Sequence, residues 1–196
     1  MERKIAYLMM ILWTGVAGII LAQERTWDLD PGHSDIGFTT NFMLISTVSG
    51  EFNHYDATIV TEGTDFEGAN IRVTIQSGSI DTDNDMRDED LRGESFLYVE
   101  EYPEITFESL SFTGTSEDLY ELEGDLTIRG VTRRETLQAR YSGTVTENDQ
   151  LRAGFRVTGT IDRFDYGVDW NSTFSGGLVV GREVRIRCEV SLVSEK

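Results

Sequence analysis

Cysteine is nearly absent: Cys188 is the only one in 196 residues, so an intramolecular disulfide is excluded. Histidine is as scarce. His33 and His54 have neither cysteines nor a spaced set of acids beside them, which argues against a zinc site. Lysine is confined to Lys4 and Lys196, so arginine carries nearly all the positive charge. Bases are outnumbered, 17 against 35 acids, and the resulting charge of −18 disfavours a phosphate backbone as partner. A surface rich in acids and poor in lysine suits high salt, although a codon-biased genome makes the same Lys-to-Arg exchange. Nowhere beyond residue 25 does a long stretch show the 3.6-residue period of an amphipathic helix.

The one long apolar run lies at the start. "MERKIAYLMMILWTGVAGIILAQ" opens with Arg3 and Lys4, continues without charge from Ile5 to Ala22, and offers Ala22 as a cleavage position. This predicts an export signal over residues 1–22 and a mature domain over residues 23–196. The same run is long enough for an uncleaved membrane anchor. Cleavage removes Glu2, Arg3 and Lys4 and takes the charge to −19. Export implies a periplasmic or secreted protein.

Beyond residue 25 the apolar residues recur at every second position. Ile71, Val73 and Ile75 alternate with Arg72 and Thr74, and Tyr120, Leu122, Leu126 and Ile128 face away from Glu121, Glu123, Asp125 and Arg129. Phe155, Val157 and Ile161 oppose Arg156, Thr158 and Asp162, while Val184, Ile186, Cys188, Val190 and Leu192 form the face of another strand. On this face Cys188 reads as a buried core thiol. Such alternation marks antiparallel strands with one dry and one wet face. About eight of them, separated by turns such as "TEGTDFEG" and "TENDQ", predict an all-β domain that stacks as two sheets or closes into an eight-stranded antiparallel barrel. Small inward residues (Gly50, Ala57, Gly124, Ala139, Ala153, Gly159) either leave room for a cavity or mark bends.

One connection is too long for a hairpin: "SIDTDNDMRDEDLRGESFLYVEEYPEITFES", residues 79–109. Asn and Asp at cap positions predict a short helix or helical turn within residues 83–97, acids outward, with Met86, Leu91, Phe96 and Leu97 packed on the open end of a barrel. Pro103 stops any helix and introduces the next strand. The glycine spacing and the central Met86 and Arg87 do not fit an EF-hand calcium loop. Arg87 with Asp88, and Arg163 with Asp165, are expected as ion pairs that lock the lid and a strand end.

Five blocks in order resemble the YceI-like family: "TWDLDPGHSDIGF", "STVSGEF", the 79–109 stretch, "GDLTIRGVTRRETL" and "GTIDRFDYGV". The resemblance spans residues 26–193. It implies a lipocalin-like barrel, an exported bacterial protein and often a homodimer, binding a long-chain amphiphile such as a polyisoprenoid or quinone rather than catalysing a reaction. By position it places Trp27, Asp30, Pro31, His33 and Ser34 in the family's opening block, Arg87, Asp88 and Leu91 in its helical block, and Arg163, Asp165 and Gly167 in its last. Where the family commonly carries a histidine on the first strand this chain has Phe42, which implies a more apolar mouth.

An apolar tunnel is therefore expected. Phe38, Phe42 and Phe52 would line it near the first strands, followed by Ile71, Val73, Ile75 and Phe107. Leu126, Ile128, Phe155 and Ile161 would complete it. No catalytic residue, metal or cofactor is expected beyond the bound lipid. Abundant Asp and Glu make chance carboxylate pairs uninformative, and no serine sits in a nucleophile-elbow context. The alternatives are a lipid-modifying enzyme built on the same barrel, and an envelope stress or scaffold protein with a filled core.

Overall fold

The computed structural model describes residues 23–195. The segment expected to be an export signal lies outside them. Antiparallel strands account for most of the chain. They are β1 (Glu24–Leu29), β2 (Asp35–Phe42), β3 (Ser46–Phe52), β4 (Tyr55–Glu62), β5 (Asp65–Gln76), β6 (Ile80–Asp81) and β7 (Glu104–Gly114). After these come β8 (Leu119–Ile128), β9 (Val131–Glu147), β10 (Gln150–Asp162), the two-residue β11 (Thr173–Phe174) and β12 (Gly177–Leu178), and β13 (Val180–Glu195).

Hydrogen bonding runs β1–β4–β5–β7–β8–β9–β10–β13 and returns to β1 through Asp28↔Val193 and Leu29↔Leu192, closing an eight-stranded barrel. β2, β3 and β6 are the continuations of β1, β4 and β5 beyond a bend. The bends fall at Pro31–His33, at Asn53–His54 and at Ser77–Ser79. They are stitched together: the Asn53 amide donates to the Ser79 carbonyl (3.0 Å), Gln76 to His54 (2.9 Å), and the Tyr55 hydroxyl to the Ser34 carbonyl (2.6 Å). Three long staves therefore turn together, and the barrel keeps its closure through the corner. Closure leaves none of the eight ring strands with a free edge over its paired length.

The inward face at the end carrying the β4–β5, β7–β8 and β9–β10 turns is aromatic. Phe66 packs on Trp27 (ring centroids 5.0 Å) and edge-on to Phe155 (4.8 Å), Tyr141 lies 5.1 Å from Phe155, and Phe112 stacks on Tyr120 at 4.6 Å. Each pair adds about 0.5–1.5 kcal/mol beyond the area it buries. Trp27 is fully buried, and its indole N–H is satisfied by the Thr61 hydroxyl at 3.0 Å.

At the opposite end β6 leads into α1 (Asp85–Arg92), a helix of two turns. The Asn84 side chain caps it by accepting from the Arg87 amide (3.0 Å), Asp85 and Asp88 occupy its first turn, and Arg92 its last. Arg92 reaches back to the carbonyls of Gly78 (2.8 Å) and Ile80 (2.5 Å). The helix thereby lies against the stave it came from.

Candidate functional site: an apolar cavity under a helical lid

The barrel encloses a cavity of about 300 Å³ with an apolar wall. Its floor is the aromatic cluster, represented by Phe66, Phe112 and Phe155, and its wall carries Ile71, Val73, Ile75, Phe107, Leu126, Ile128 and Ile161. Phe38 and Phe52, 5.8 Å apart, belong to the bent staves, and Leu91, Phe96 and Leu97 come from the lid segment. The aromatics close the hairpin end, so the cavity faces the lid end.

Ten of the eleven residues expected to line a tunnel surround this space, and Phe42 does not. It ends β2, pairs with Ser46 across the hairpin and is 38% exposed, because the stave runs past the cavity rim. Met86 is likewise corrected: it is 79% exposed, on the outer side of α1. Alternation alone recognises wall residues such as Leu122, Leu137, Val184 and Ile186. The three inward glycines do not make the room, whereas Ala57 and Ala139 line the cavity. A β-carbon on Gly50 would lie 2.6 Å from the Phe38 ring, one on Gly124 would lie 2.2 Å from Phe107, and one on Gly159 would lie 2.2 Å from Leu137. Large neighbours lie flat over these glycines.

The lid clamp differs from the expected ion pair. Arg87 and Asp88 do not bridge each other; both converge on Thr82, the residue just past the end of β6's pairing with β3. Asp88 is buried and accepts from the Thr82 amide (3.0 Å) and hydroxyl (2.5 Å). Arg87 donates from Nε to the same hydroxyl (2.7 Å) and from Nη2 to the Thr82 carbonyl (2.6 Å). Adjacent helix residues project about 100° apart, so they can embrace a third group more readily than each other. Thr82 carries no sequence signal that would single it out.

Arg163 and Asp165 do not pair either. Arg163 is buried and donates to four carbonyls, those of Val168 (2.6 Å), Gly181 (2.9 Å), Trp170 (3.0 Å) and Val180 (3.3 Å). Burial lowers its pKa from the usual arginine value. Asp165 is exposed, and its backbone carbonyl accepts from Arg133 (3.1 Å). Arg163 thus ties down the 168–181 segment at the lid end.

Two titratable groups of the cavity wall, Cys188 and Tyr166, are held in their neutral forms. Burial pushes the Cys188 thiol from 9.0 up to about 12. Tyr166, fully buried, donates to Glu135 Oε1 (2.6 Å), and burial followed by that contact raises its pKa well above the ordinary tyrosine value. His33 bonds locally through Nδ1 to Asp30 (3.0 Å), which also receives Arg152 (2.6 Å). Among the described residues no cluster of His, Cys, Asp and Glu is arranged to hold a metal ion.

The sequence and the fold both have relatives. A UPF0312 protein of Staphylococcus aureus is 34% identical over 160 residues, covering 80% of this chain and 90% of its own. The Campylobacter jejuni YceI protein superposes with a TM-score of 0.68 at 30% identity, covering 86% of this chain and 96% of its own. A polyisoprenoid binding domain from Saccharophagus degradans shares the fold at a TM-score of 0.59 and 17% identity, over 86% of this chain and 98% of its own. The YceI-like domain profile matches residues 27–192, and the chain belongs to that family.

Proposed function

We propose that this is an exported, non-enzymatic carrier or reservoir for a long-chain isoprenoid or similar amphiphilic lipid, a quinone included, whose tail lies in the barrel. The observation that carries the reading is the dead-end apolar cavity, closed by aromatics at one end and by a separate lid at the other. Burial of each CH₂ contributes about 0.8 kcal/mol. Ten buried carbons therefore supply roughly 8 kcal/mol, enough for a dissociation constant on the order of 1 μM without a strong polar contact. The Saccharophagus domain, named for polyisoprenoid binding, supports the ligand class by fold alone.

Binding is favoured over turnover by the chemistry of the wall. The Cys188 thiol is protonated at neutral pH, and the Arg163 donors are taken up by carbonyls. A filled scaffold is disfavoured by the cavity itself. Solvent extraction of protein purified without detergent, followed by mass spectrometry, tests the proposal. One amphiphile per chain with a tail of ten or more carbons is expected; ligand-free protein that takes up no isoprenoid in titrations refutes it. Periplasmic or extracellular residence is tested by fractionating the producing cells.

A further inference from the structure

We propose that the tip of the β2–β3 hairpin and the adjoining 170–181 strip form a lip that docks on a neutral lipid bilayer beside the lid. The inference rests on the lipid-carrier reading and assigns the surface across which the lipid is exchanged. Three observations carry it.

The first is charge. Charged residues make up 27% of the chain, yet none occurs from Ile36 to Gly50 or from Trp170 to Gly181. The fold sets these two stretches side by side: Phe42 pairs with Val180, and the Met43 amide donates to the Val179 carbonyl at 2.7 Å. Elsewhere the surface is acidic, with a chain charge of −18. A charge-free lip on an acidic body suits an uncharged bilayer and is repelled by an anionic one.

The second is exposure against local preference. Leu44 is 67% exposed, Ile45 87%, Trp170 45% and Phe42 38%. The turn is closed by the Ile45 amide on the Phe42 carbonyl (3.2 Å), with both central residues at positive φ, Met43 at 51° and Leu44 at 64°. Both lie in the left-handed region, which Asn and Gly adopt far more readily than Met or Leu. Two bulky apolar residues there oppose both solvation and backbone preference, a pattern that marks functional sites. Tryptophan beside aliphatic side chains is also the composition of a membrane-interface anchor.

The third is continuity with the cavity. The Trp170 ring lies 5.1 Å from that of Phe96, and both Phe96 and Val180 line the cavity. An apolar path therefore leads from the lip to the interior without crossing a charged surface.

The barrel closes on itself within residues 23–195, so a chain lacking residues 1–22 serves for the test. Wild type and the Met43→Asn/Leu44→Gly variant are sedimented with phosphatidylcholine vesicles. An Ile45→Asn variant, which leaves the turn residues in place, serves as a second probe. Each polar variant is expected to bind vesicles about tenfold more weakly or less. The Asn-Gly variant should melt at or above the wild-type temperature, because its turn is relieved. Phosphatidylglycerol vesicles at low salt should bind the wild type more weakly than phosphatidylcholine. Equal vesicle binding by wild type and variants overturns the lip, as does a wild type that binds no vesicles, and a dimer dispersed by the variants would instead assign the face to a second copy. Lipid content measured in the same samples separates the two readings. Lipid in every protein with no vesicle binding removes the lip and leaves the carrier, whereas vesicle binding with no lipid in any protein removes the carrier.

Discussion

Replacing Asp88 with alanine tests how the lid is held. The carboxylate is buried, and its Oδ1 takes both the amide and the hydroxyl of Thr82, itself buried. Removing it leaves the amide without its acceptor and strips one partner from the hydroxyl. Hydrogen bonds to a charged group are worth about 1.5–3 kcal/mol each, and an unsatisfied buried donor costs about 1–3 kcal/mol. Water reaching the site recovers part of this, so we expect a net loss of about 3 kcal/mol for Asp88→Ala. In a domain of this size about 1 kcal/mol moves the melting temperature by roughly 2–4 °C, so the shift should be roughly 6–12 °C. Asp88→Asn keeps a carbonyl acceptor and should lose about 1 kcal/mol. Arg87→Ala removes donors to the same residue from a half-buried position and should fall between the two. Thermal melts of the three variants, with lipid retention measured after dialysis, give the order. If Asp88→Ala melted within a degree of wild type and retained its lipid, the Thr82 anchor would be refuted.

Filling the cavity should separate binding from stability. Val73→Trp places a ring in the space, and bound lipid per chain should fall at least fivefold while the melting temperature stays within about 3 °C; undiminished lipid would place the tail elsewhere. Cys188 gives a pH signature. Its folded pKa is raised, so the stability it contributes is complete below about 9 and is lost as pH rises toward about 12. Denaturant melts of wild type and Cys188→Ala should differ in slope over that interval only, and the half-buried thiol, protonated at pH 8, should resist alkylation there; rapid labelling would contradict its raised pKa. If the charge of −18 strains the fold through self-repulsion, melting temperature should rise from about 10 mM to 1 M salt, as the Debye length falls from roughly 30 to 3 Å; a flat profile would remove salt adaptation as a reason for the missing lysines.

Period-two alternation carried the architecture because a half-buried strand exposes its face in every second residue. Ile71, Val73 and Ile75, and the Val184–Leu192 series, could be assigned inward on that basis, and they line the cavity. Alternation does not show where a strand outruns the barrel. Phe42 has the spacing of an inward residue, yet it lies beyond the rim, because the bends at Pro31–His33 and Asn53–His54 redirect the staves. Nor does it reveal partners lying across the chain. The arginine-acid spacings at Arg87–Asp88 and Arg163–Asp165 suggested pairing, whereas the folded chain offers Thr82 and a set of carbonyls. Carbonyl groups are present at every residue and leave no trace in composition.

Those carbonyl contacts share one location. At the lid end Arg87 donates to the Thr82 carbonyl, Arg92 to Gly78 and Ile80, and Arg129 to Phe96 (2.9 Å) and Gly167 (3.0 Å). Arg133 donates to Asp165, and Arg163 to four more. A guanidinium has five donors in a planar fork and can hold two segments at once, which a lysine ammonium does less well. Part of the preference for arginine therefore has a structural reason, independent of salt or codon usage. Water can replace such bonds at modest net cost, whereas the aromatic floor can be opened only by exposing apolar surface. The two ends should differ in local stability, the lid end opening while the floor stays shut. Hydrogen exchange tests this: amides of residues 84–102 and 168–180 should exchange well before those of β4, β5 and β10 around Ile59, Phe66 and Phe155, and bound lipid should slow the lid segments most. Uniform protection across both ends would mean that the barrel opens only by global unfolding, and a ligand could then enter only as the protein unfolds.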